Sequence, residues 1–91
     1  MRWGMEIAKI RVGDPHGLHL RQAALFVRLA QSYRSRVSLF YRNRCADGSS
    51  ILDILSLAAA RDAEIAVIAE GPDEQQVIDK ATQLFSDGGG I

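Results

Sequence analysis

The residues best suited to chemistry are His19 and Arg21, in the run Gly17-Leu18-His19-Leu20-Arg21-Gln22-Ala23-Ala24. A histidine at a helix start, after a glycine-containing loop, stands where free backbone N–H groups and the helix dipole favour an anion. Arg21, two residues on, reaches the same anion as a charge-assisted donor. Imidazole can act as a nucleophile near pH 7. Together these groups can accept a phosphoryl group and stabilise its charge. On residue type alone, the segment also fits a capping or solvent-exposed histidine. His16 lies three residues ahead of His19, and with Cys45 it raises the question of zinc. Structural zinc normally takes four ligands, and no second cysteine exists. No metal or other cofactor is therefore assigned. His16 is read as a loop residue and Cys45 as a strand residue.

These groups need elements to position them. Glu6–Val12 alternates, with Ile10 and Val12 on one face, and reads as a strand. Gly13-Asp14-Pro15-His16-Gly17 reads as a loop on its glycine and proline content. From Leu20 to about Tyr33 the apolar residues Ala23, Phe26, Val27, Ala30 and Tyr33 recur at steps of three and four, the pattern of one helix face. Val37–Tyr41 is a second strand, rich in β-formers. Arg42-Asn43 turns the chain into a short third strand, Arg44–Ala46. Ser49 or Ser50 can cap a short helix over Ile51–Leu57, extending as far as Ala60. Glu64–Glu70 alternates Ile65, Val67 and Ala69 as the last strand. Gly71-Pro72-Asp73-Glu74 then opens a helix, with proline at its first position and acidic groups at its positive end. Its apolar stripe is Val77, Ile78, Ala81, Leu84 and Phe85.

The order β-α-β-β-α-β-α makes an α/β (α+β) domain. It predicts a four-stranded antiparallel sheet covered on one face by three helices, an open-faced β-sandwich. The other face would meet solvent through Lys9, Arg11, Ser38, Phe40 and Glu64. Residues 1–91 form a single domain, with an ordered part over about 6–86 and flexible ends at 1–5 and 87–91.

Composition limits the function. The 91 residues carry 11 Lys+Arg and 11 Asp+Glu, so the formal charge is zero. That argues against a general nucleic-acid binder, whose affinity rests on many phosphate contacts. The charge is split: residues 1–45 sum to +7 and residues 46–91 to −7. One cysteine cannot form an intramolecular disulfide, and no stretch reaches the roughly 18–20 apolar residues of a membrane span. The expectation is a cytoplasmic monomer.

The run Gly17-Leu18-His19-x-Arg21 resembles the active-site motif of HPr, the histidine-containing phosphocarrier family of the phosphotransferase system. Ser50-Ile51-Leu52 with Leu55-x-Leu57-Ala58-Ala59 resembles the family's second helix and its regulatory serine. Ala69-Glu70-Gly71-Pro72-Asp73-Glu74 resembles the entry to its last helix, and the element order agrees with the HPr fold. The likeness covers about Glu6 to Ser86. Asp47-Gly48-x-Ser50-Ile51 and Leu57-Ala58-Ala59 look closer to the nitrogen-related branch, NPr, than to the sugar branch.

The resemblance implies a phosphoryl carrier in a relay rather than a turnover enzyme. His19 would take a phosphoryl group, derived from phosphoenolpyruvate, from enzyme I on its Nδ1 and pass it to a IIA-type domain. Arg21 would stabilise the phosphoryl charge. Leu20, Ile51, Leu52 and Leu55 would lie exposed around His19 as an apolar docking patch, while Ile54 and Leu57 fill the buried face of the short helix. Ser50 would be open to an HPr kinase/phosphorylase, although a plain N-cap is the simpler role. Gln22, Ser49 and Asp62 depart from the family's usual Pro or Ala, Lys and Gly. The competing function is an HPr-like regulatory binding protein whose phosphorylation state, at His19 or Ser50, switches partner binding. A third, an RNA-binding module, needs aromatic residues on the open sheet face, and only Phe40 qualifies.

Overall fold

The alternation of Ile65, Val67 and Ala69 makes Glu64–Glu70 a strand with one apolar edge, and the rest of the sheet is assembled around it. In a computed structural model describing residues 4–86, the elements are β1 (Glu6–Arg11), α1 (Leu20–Gln31), β2 (Arg36–Tyr41), β3 (Arg44–Asp47), α2 (Ile51–Ser56), β4 (Glu64–Glu70) and α3 (Glu74–Ser86). The expected flexible ends fall outside the described residues, except Gly4 and Met5, which are exposed.

The strands pair in the order β1-β4-β2-β3, every pair antiparallel. The register sets Ile10 against Ile65 and Leu39 against both Val67 and Ala46. Because side chains alternate along a strand, Ile10, Val37, Leu39, Ala46, Ile65, Val67 and Ala69 all turn to one face and are buried. Lys9, Arg11, Phe40 and Glu64 are exposed on the other face, and Ser38 is half-buried there. This is the open-faced arrangement that the strand pattern predicts.

The two halves of opposite charge are interleaved. β4, from the acidic half, lies between β1 and β2, from the basic half. The register places Arg11 opposite Glu64 and Arg36 opposite Glu70. Cross-strand pairs of opposite charge favour a register modestly.

The helices cover the apolar face. α1 buries Ala23, Phe26 and Val27, and α3 buries Val77, Ile78, Ala81 and Phe85. The two are joined by Phe26 and Phe85, stacked with ring centroids 5.2 Å apart. Tyr33 and Leu84, expected on the apolar stripes, are half-buried at their margins.

Three helix boundaries differ from the sequence expectation, and β1, β2 and β3 each differ by one residue at one end. α1 stops at Gln31, short of Tyr33, because Ser32 turns its hydroxyl to the Arg28 carbonyl and its N–H to those of Leu29 and Ala30. α2 stops at Ser56, whose hydroxyl donates to the Asp53 carbonyl, and the reversal is made by Ala58 at φ 53°; the family glycine that Asp62 replaces closes this helix, and Asp62 does not take that place here. Asp62 is left-handed, at φ 69°, but in the turn before β4, where its N–H donates to the Val12 carbonyl. Pro72 lies two residues ahead of α3 instead of opening it. Asp73 is drawn away to accept the N–H groups of Arg34 and Ser35. The Glu74 carboxylate accepts the Gly71 N–H three residues back.

Phe85 is completely buried, so Phe85→Ala should cost about 3–5 kcal/mol in urea unfolding. A loss under about 1 kcal/mol would show that the contact between α1 and α3 is not what holds the helical layer.

Candidate functional site

The loop ahead of α1 is built by its own residue types. Asp14-Pro15-His16-Gly17 is a tight turn, closed by the Gly17 N–H on the Asp14 carbonyl at 2.9 Å. Aspartate first, proline second and glycine fourth are the residues such a turn favours. The Asp14 side chain accepts the His16 N–H at 2.8 Å. Gly17 has φ +75°, and a Cβ there would meet the Ala59 carbonyl oxygen at 2.7 Å, so a side chain is excluded on two counts. The turn is clamped to its neighbours by backbone bonds: Leu18 N–H to Ala59, Val12 N–H to Ala63 and Gly13 N–H to Phe85.

His19 is the N-cap of α1, with extended backbone at φ −102° and ψ −179°. Its Nδ1 accepts the Arg21 N–H at 3.2 Å, which takes up one of the free donors of the helix start. An accepting Nδ1 carries a lone pair, so the ring proton belongs on Nε2. Nε2 lies 3.2 Å from Asp14 Oδ2. The imidazole is thus held from both sides, and its side chain keeps 31 % exposure against 10 % for Asp14. The His16 N–H bond, and secondarily the two imidazoles, hold the Asp14 carboxyl below the usual carboxylate range against the opposing effect of burial. His16 itself projects outward at 84 % exposure, with Nδ1 3.4 Å from Asp14 Oδ1. Its ring stands edge-on to that of His19, centroids 6.0 Å apart.

Arg21 is exposed beside His19, and no described carboxylate lies within ion-pair range of it. Leu20 and Leu52 are exposed, at 61 % and 79 %. Ile51 and Leu55 are not: both are half-buried against the core, which halves the expected apolar patch. The helical period explains this. Ile54 and Leu57 point inward as expected, Ile51 and Leu55 flank that direction, and Leu52 lies about 160° from Ile54. Ser50 is the N-cap of α2, accepting the Asp53 N–H at 3.2 Å. Ser49, the other capping candidate, is instead tied to Asp47. Gln22 is fully buried. Its polar atoms are partnered there, since no described buried side-chain N or O lacks a hydrogen bond. Cys45 is exposed on β3, opposite Phe40, and does not join the two histidines.

Asp14 is the site residue that sequence reasoning missed. Its signal was present in the turn pattern, since an aspartate opening such a turn accepts the N–H two residues on. That bond aims its second oxygen at His19.

Residues 7–87 match the family model described as the PTS HPr component phosphorylation site. The chain belongs to the HPr family. It is 30 % identical over 79 residues to phosphocarrier protein HPr of Buchnera aphidicola subsp. Acyrthosiphon pisum, covering 87 % of this chain and 93 % of that protein. It is 31 % identical over 81 residues to phosphocarrier protein HPr of Treponema pallidum, covering 89 % and 92 %. The crystal structure of HPr-C-His from Thermoanaerobacter tengcongensis superposes with a TM-score of 0.88 at 30 % identity, over 94 % of this chain and 97 % of that one. The HPr fold therefore stands as read from the strand and helix order. Among the described residues, no helix is long and apolar enough to cross a membrane.

Asp14 gives this HPr-family site a pH signature. A carboxyl held below its ordinary value contributes stability that is present above the unfolded-state pKa and lost as pH falls through the folded one. Asp14→Asn should therefore be less stable than the parent by a constant amount above about pH 5, a difference that shrinks in stronger acid. Denaturant titrations across pH check this, and a gap that stays constant into acid would remove the charged Asp14 from the account.

Proposed function

We propose that this chain is a histidine phosphocarrier that takes a phosphoryl group from an enzyme I-type donor on Nδ1 of His19 and passes it to a IIA-type domain. The observation that carries the reading is the orientation of His19: Nδ1 faces the helix N-terminus and Nε2 faces Asp14. In the transfer, the Nδ1 lone pair forms the bond to phosphorus. The leaving atom of the donor keeps the electron pair of the bond that breaks. Nδ1 releases the Arg21 N–H, and that donor turns to a phosphoryl oxygen, joined by the Arg21 guanidinium. As positive charge develops on the ring, Asp14 stabilises the Nε2–H. Little else is needed, because phosphoryl transfer depends mainly on positioning and charge. Passing the group on reverses these steps.

Leu20 and Leu52 supply the exposed apolar contact with donor and acceptor, beside the positive charge of Arg21. An exposed apolar patch rimmed by charge suits short-lived complexes. Ser50 acts first as a helix cap. A phosphate there would set its oxygens at the helix start, where the N–H donors favour an anion, and would add negative charge beside Leu52, which opposes docking. The carrier works as a cytoplasmic monomer.

Incubation with enzyme I and phosphoenolpyruvate should put an acid-labile phosphate on the parent chain and none on His19→Ala. Arg21→Ala, folded because the residue is exposed, should slow transfer by at least about tenfold; equal rates would refute its role. Leu52→Asp should raise the KM for the carrier by about fivefold, near 1 kcal/mol of docking, with melting unchanged. An unaltered KM would place docking elsewhere.

A further inference from the structure

We propose that Asp14, His16 and His19 form a binding site for a zinc-class dication, and that the ion and the phosphoryl group exclude each other. One ligand atom from each residue lies within 4.8 Å of the other two. One of the contacts already has the separation that coordination needs. His19 Nε2 is 3.2 Å from Asp14 Oδ2, and tetrahedral zinc with ordinary bond lengths sets its ligand atoms about 3.3 Å apart. The span to His16 Nδ1, which lies 3.4 Å from the other Asp14 oxygen, Oδ1, has to close. His16, projecting into solvent, is free to swing inward and close it.

Two imidazoles and one carboxylate suit zinc, and not magnesium or calcium, which take oxygen ligands. Three protein ligands leave a fourth position for water, the arrangement of an open site. The site is also partly built in advance. Asp14 is fixed by the His16 N–H and the turn by Gly17.

The exclusion follows from the two nitrogens of one ring and rests on the reading of His19 Nδ1 as the phosphoryl acceptor. In the metal-free site the proton is on Nε2 and the lone pair on Nδ1. A dication on Nε2 needs a lone pair there, so the proton of the neutral ring moves to Nδ1. A protonated Nδ1 has no electron pair to give to phosphorus, and it can no longer accept the Arg21 N–H. The ion therefore blocks phosphorylation from the opposite side of the ring. By linkage, a phosphoryl group on Nδ1 weakens the ion's binding by the same factor.

The test uses the untagged chain, without phosphate in the buffer. Calorimetric titration with zinc chloride should show one ion per chain. Co2+ should give the absorption of a four-coordinate site, and Mg2+ should not bind. His16→Ala and Asp14→Asn should each weaken zinc binding by at least about tenfold with circular dichroism unchanged, while Cys45→Ser should bind as the parent does. Absent binding, or binding that survives His16→Ala and is lost in Cys45→Ser, overturns the site. In the second arm, zinc should slow phosphorylation of the parent by enzyme I and phosphoenolpyruvate and leave His16→Ala unaffected. Equal slowing of both would overturn the exclusion. A metal-free parent that takes no phosphate would instead overturn the carrier reading, and the calorimetric result would stand independently.

Discussion

The position of the His19 imidazole depends on one backbone clamp. The turn that precedes α1 has no side-chain core of its own. It is held because Val12, Gly13 and Leu18 each give an N–H to a carbonyl on another part of the chain, at Ala63, Phe85 and Ala59. Two of these partners belong to the segment between α2 and β4, and the third to the end of α3. The close approach at Ala59 is what demands glycine at position 17. His19 is therefore placed by elements distant in sequence, and a disturbance in the α2–β4 segment reaches it through these backbone bonds.

Within that frame the ring is set between a positive and a negative environment. The helix N-terminus provides N–H donors, with partial positive charge, at Nδ1. Asp14 provides a carboxylate at Nε2. The first favours an incoming anion and the second favours the proton on the far nitrogen. Each group thus prepares the other's task, and an imidazole lacking either would be free to rotate or to hold its proton on the wrong atom. Arg21 adds exposed positive charge beside the ring, of which the zero net charge of the whole chain gives no hint.

What was legible in the sequence followed local pattern. Glu64–Glu70 was readable to the residue because strict alternation leaves little freedom, and His19 was readable as a helix-start residue because a glycine loop precedes an apolar period. The ends of α1 and α2 were less visible, since Ser32, Ser56 and Ala58 end those helices by hydroxyl bonds and a positive φ that non-glycine residues seldom signal. The patch around Leu52 was overestimated because a six-residue helix has room for only one fully outward apolar position beside its buried pair. Asp14 was hidden for another reason: its contact with His19 spans the turn, and residue type alone does not say which way the second carboxylate oxygen points.

The sheet order β1-β4-β2-β3 has a consequence for how the chain is made. β4 is the only described strand that pairs with both β1 and the β2–β3 hairpin, and it begins at residue 64. A nascent chain that ends before it has an unpaired strand and a lone two-stranded hairpin, which is marginal in water. The apolar faces of β1 and β2 stay uncovered over that interval. Synthesis of this domain is thus followed, rather than accompanied, by its folding, and the late strand supplies the central pairing that lets the sheet close in one cooperative step.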